Sequence, residues 1–97
     1  MAVQVEEQKQ LIGGELVSSS SGGTLESINP STGEVLTLLS KGGQKEVDDA
    51  VQAARDTFES DKWRDMAPVE RGRILGRTSA MIRERRDELA RLESLDI

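Results

Sequence analysis

Ser27-Ile28-Asn29-Pro30-Ser31-Thr32-Gly33-Glu34-Val35 decides how this chain is organised, because everything around it can be read outward from one turn. Proline has no N–H to give a ladder and pushes the residue before it towards an extended backbone. A strand from Thr24 to Asn29, with Leu25 apolar among polar neighbours, is therefore expected to stop at Pro30. Pro30-Ser31-Thr32-Gly33 has turn composition. Glu34 to Ser40 is then a second strand, and its run Val35-Leu36 and Leu38-Leu39 is too apolar for one wet face. Burial on both sides is the expectation.

Towards the N-terminus, Ser18-Ser19-Ser20-Ser21-Gly22-Gly23 reads as a flexible loop. Before it, Gln10-Leu11-Ile12 and Glu15-Leu16-Val17 flank Gly13-Gly14. Adjacent glycines supply the positive φ that a two-residue hairpin turn needs. Residues 1–9 are polar and are expected to be a frayed lead. Met1 to Glu7 shows no basic run followed by an apolar core, so it does not read as a signal peptide.

Towards the C-terminus the period changes to that of helices. Val47, Ala50, Val51, Ala54 and Phe58 fall on one face of a helix expected over 44–59. Glu46, Asp48 and Asp49 place negative charge near its positive end. Trp63 is expected to anchor the polar connector that follows. Over 67–97 two further helical stretches are expected. Pro68 suits a first helical position, with Ala67 before it offering no capping side chain. Ile74, Leu75, Thr78, Met81 and Ile82 trace the buried face of the second helix. Gly72 and Gly76 each cost ~1 kcal/mol against alanine in a helix, which implies close approach of another backbone. Asp87 is expected to cap the third stretch, with Leu89, Leu92 and Leu95 buried. The sequence then stops at Asp96-Ile97 without a glycine stop or polar tail, so a longer polypeptide is expected.

The totals exclude several classes. The chain has no Cys and no His, and its large aromatics are one Phe and one Trp. Disulfides and thiolate metal sites are thereby excluded, which suits a reducing, cytoplasmic compartment. No apolar run approaches the ~20 residues that span a bilayer, so no membrane role is expected. The net charge of −5 divides unevenly: residues 1–61 carry 4 basic and 11 acidic side chains, residues 62–97 carry 9 and 7. A basic excess this small, without interleaved aromatics, is no nucleic-acid footprint.

Catalytic motifs are equally absent. There is no Gly-x-Gly-x-x-Gly, phosphate loop or Gly-x-Ser-x-Gly. The hydroxyls of Ser18 to Ser21 have no base beside them to activate a nucleophile. Arg83, Arg85 and Arg86 could grip an anion, but a solvent-facing helix surface is the simpler reading.

In order, several segments resemble the N-terminal segment of the aldehyde dehydrogenase family. They are Leu11 to Val17, Ile28 to Val35, Val47 to Arg55, Trp63-Arg64 with Glu70 to Leu75, and Arg85 to Asp96. Each is weak alone; their order and spacing make the resemblance specific. It implies an α/β fold: N-terminal β-hairpins plus two or three helices, part of a variant Rossmann cofactor domain. It also implies oxidation of an aldehyde to a carboxylate with NAD or NADP. In that chemistry a cysteine thiolate adds to the carbonyl, hydride passes to the nicotinamide, and a glutamate-activated water releases the acid.

The family's catalytic and cofactor-binding residues map to no position here, so the 97 residues alone are expected to be inactive. One site does carry over. Many relatives hold Na+ or K+ with backbone carbonyls from the two residues before the Asn-Pro pair and with an aspartate, here Ser27, Ile28 and Asp96. Hard cations want oxygen ligands. A homo-oligomeric full-length protein is also implied. The alternative is a short non-catalytic binding or assembly module derived from the same fold.

Overall fold

The computed structural model describes residues 6–97. Five strands come first: β1 (Glu7–Gln8), β2 (Gln10–Ile12), β3 (Glu15–Val17), β4 (Thr24–Ile28) and β5 (Val35–Ser40). Four helices follow: α1 (Gln44–Glu59), α2 (Asp61–Arg64), α3 (Pro68–Glu84) and α4 (Arg86–Asp96). A three-stranded sheet has the order β1-β5-β4, with β1 parallel and β4 antiparallel to β5. β2 and β3 form a separate antiparallel hairpin.

The turn that organises the sequence is built as its composition requires. Asn29 N–H donates to the Glu34 carbonyl at 2.9 Å, and Gly33 N–H to the Asn29 carbonyl at 2.8 Å. Asn29 Oδ1 accepts from Ser31 N–H at 2.9 Å, an Asx turn that begins the reversal. The ladder is irregular between Ser27 and Ile28: these face Thr37 and Val35, so Leu36 is the extra residue and β5 carries the bulge.

The glycine hairpin also forms as expected, with φ of 61° at Gly13 and 82° at Gly14. A side chain in that conformation costs roughly 1–2 kcal/mol. Gly14→Val is therefore expected to unpair β2 from β3, read as faster amide exchange in 10–17 with little change in 44–59.

Several expectations are corrected. The polar lead is not wholly frayed, because Glu7 and Gln8 pair with Leu38 and Leu39 of β5. Residues 1–5 of that lead lie outside the described residues. Ser40 Oγ donates to Glu7 Oε1 at 2.7 Å, and this bond holds the Glu7 carboxyl below its usual range. Sequence reading missed the strand because its stabilisation lies in pairing rather than in apolar pattern. The Trp63 connector also winds into one helical turn, α2, which makes four helices. Its start is fixed by Ser60, whose hydroxyl accepts from Trp63 N–H at 3.4 Å. Asp87 does not cap α4: Arg85 stands at the N-cap without a side-chain capping bond, and Asp87 lies inside the first turn.

The largest correction concerns the core. Among the described residues no hydrophobic side chain is buried. β5 is central in its sheet, yet Leu39 remains 41% exposed. The apolar face of α1 is present but uncovered, with Val51 and Phe58 more than half exposed, and Leu75 on α3 is 71% exposed. The Cα radius of gyration is 17.1 Å, against about 12–13 Å for a compact domain of this length. Periodicity identifies which face must be buried, but it does not say which polypeptide buries it.

Gly72 and Gly76 follow the same pattern. A Cβ at either meets nothing within 4 Å. Since alanine is the better helix former by ~1 kcal/mol, Gly76→Ala is expected to raise the helicity and melting temperature of this chain, measured by circular dichroism.

Candidate functional site

The expected cation ligands come from elements far apart in sequence. Ser27 stands on β4 where its register with β5 shifts, and Asp96 closes α4. The structure brings them together: Ser27 Oγ donates to Asp96 Oδ1 at 2.7 Å. Ile28, the third expected ligand, lies at the other side of the bulge. Beside the pair lies a cleft of ≈ 620 Å³ walled by Leu36 and Leu39 of β5 and by Leu92 and Leu95 of α4. Among the described residues no three His, Cys, Asp or Glu side chains cluster as metal ligands, so any cation here would be held largely by neutral oxygens.

A second arrangement was not anticipated. Sequence position makes Glu46 a charge complementing the α1 dipole; in the structure its side chain turns inward and the residue is only 7% exposed. Its Oε2 accepts from Gly43 N–H at 2.8 Å, closing the helix N-terminus from the third helical position. Its Oε1 accepts from Ser20 N–H at 2.5 Å, reaching 26 residues back into the serine loop. These two amides, Ser20 first, hold the carboxyl at about 2, well below its ordinary 4.5. The loop expected to be flexible is thereby tied to α1. It is closed further by Gly22 N–H donating to the Ser19 carbonyl at 3.0 Å and by a 2.9 Å contact between the Ser19 and Ser21 hydroxyls. The signal was present in sequence: a glutamate three residues past a helix cap is the acidic half of a capping box.

Trp63 does anchor the connector. The Arg71 guanidinium lies over its ring at 5.7 Å from the centroid, while Arg71 Nη2 donates to the Met66 carbonyl at 3.3 Å. A cation over an aromatic face contributes ~0.5–1 kcal/mol at exposed sites. Trp63→Ala is expected to lower stability by that order and to free Arg71, visible as loss of protection at the start of α3.

The arginine trio is a solvent face. Arg83 Nη1 donates to Ser79 Oγ, Arg85 pairs with Glu88 at 3.2 Å, and Arg86 reaches Asp87 at 3.5 Å. No anion grip forms from them.

The family model for the aldehyde dehydrogenase family matches residues 16–97. The chain belongs to the aldehyde dehydrogenase family. DhaS of Bacillus subtilis (strain 168) is 42% identical over 89 residues, covering 92% of this chain and 18% of that protein. Aldehyde dehydrogenase 1 of Tanacetum cinerariifolium is 40% identical over 96 residues, covering 99% of this chain and 19% of that one. The fold agrees with a solved NAD+ complex of aldehyde dehydrogenase from Bacillus cereus at a TM-score of 0.90 and 42% identity, over 93% of this chain and 18% of that chain. An NAD-dependent aldehyde dehydrogenase from Sinorhizobium meliloti matches at 0.87 and 33% identity, over 96% of this chain and 18% of that chain. The chain thus spans less than a fifth of the length of these relatives. It is a small α/β portion of the family's fold.

Proposed function

We propose that these residues are the N-terminal part of an NAD(P)-dependent aldehyde dehydrogenase that oxidises an aldehyde to a carboxylate. The observation that carries this is the agreement of fold and sequence with an NAD+-binding member of the family over nearly the whole chain. The contribution of this segment is structural. It holds no cysteine to act as the nucleophile. Alone it turns over no aldehyde. The complete protein works in the cytoplasm as a homo-oligomer and uses no membrane or nucleic-acid partner.

Within that reading, the Ser27 and Ile28 carbonyls and the Asp96 carboxylate hold Na+ or K+. What supports it is the 2.7 Å contact that brings Asp96 to Ser27. Such an ion would supply charge neutralisation at the junction of β4 with α4.

Two measurements test the reading. The open frame beyond codon 97 is expected to encode the family's cysteine nucleophile and glutamate; a stop codon with no downstream cysteine-bearing frame would sink it. No helix among the described residues is long and apolar enough to cross a membrane. Expression of this chain with NAD or NADP and a panel of aldehydes is expected to give no dinucleotide reduction. Measurable turnover by the purified 97-mer contradicts the structural role assigned here.

A further inference from the structure

We draw no further inference here: the strongest candidate, the cleft of ≈ 670 Å³ that α1, α2 and α3 line beside Trp63, Arg64 and Arg71, has Glu59 in its wall and its unpartnered donor, Arg71 Nε, sealed from solvent, so nothing in the structure shows what would occupy it.

Discussion

Replacing Glu46 with alanine is expected to release the serine loop and the start of α1 together. One carboxylate accepts from Ser20 and from Gly43, and among the described residues no other side chain is bonded to either amide. Bonds to a charged acceptor are among the stronger ones. Amide exchange at Ser20 and Gly43 should therefore quicken by about tenfold or more, with smaller increases through 19–23 and the first turn of α1. Unchanged exchange at Ser20 would show that the loop does not depend on this tie. Glu46→Gln is the milder variant, because an amide oxygen accepts one of the two bonds without the charge.

The same residue sets a pH dependence whose sign is fixed. The folded-state pKa lies near 2, below the ordinary 4.5, so folding favours the carboxylate. The stabilisation is fully present above about 4.5 and is lost as pH falls through 4.5 towards 2. Glu7 works in the same direction, through its Ser40 bond. Loop protection should fade over that acid window in the native sequence and be flat there in Glu46→Gln. A loss of protection on raising pH from neutral would contradict the assignment.

Asp96→Ala is expected to have the second large effect, on the seating of α4. The Ser27–Asp96 bond joins the end of α4 to the central sheet across 69 residues. α4 has 11 residues, below the ~12–15 at which isolated helices become even marginal in water. Detached from the sheet, it should lose much of its helicity, seen as α4 amides exchanging at rates near those of an unfolded chain while α1 is unaffected. If Na+ or K+ binds there, millimolar salt of either ion should slow exchange in α4 of the native chain relative to a bulky organic cation. Asp96→Ala should abolish that difference. Equal exchange in all three salts removes the cation and leaves the hydrogen bond.

Local physics made much of this chain legible. The Gly13-Gly14 hairpin and the Asn29–Gly33 turn follow from backbone freedom at glycine and from proline's missing donor. Both are decided within a few residues. The limits of α1 followed from the recurrence of Val47, Ala50, Val51, Ala54 and Phe58. Other features were hidden because their cause is remote. β1 exists through pairing with β5, 31 positions further on at Glu7 and Leu38. Glu46 looks like a dipole residue until Ser20 is seen against it.

By itself, then, the sequence determined most of the elements, their order and the faces that need cover, and its ordered segments carried the family resemblance. The elements and faces are written in short-range periodicity and turn chemistry. Only the tertiary structure decided that Ser27 meets Asp96, that the serine loop hangs on Glu46, and that α1 and α3 stand uncovered. Such facts depend on where distant segments arrive in space, and a pattern along one chain holds no record of that distance. The claim beneath all of them is that an apolar stripe seeks a partner; a lone 97-mer whose stripes are dry and tightly packed in solution would remove it.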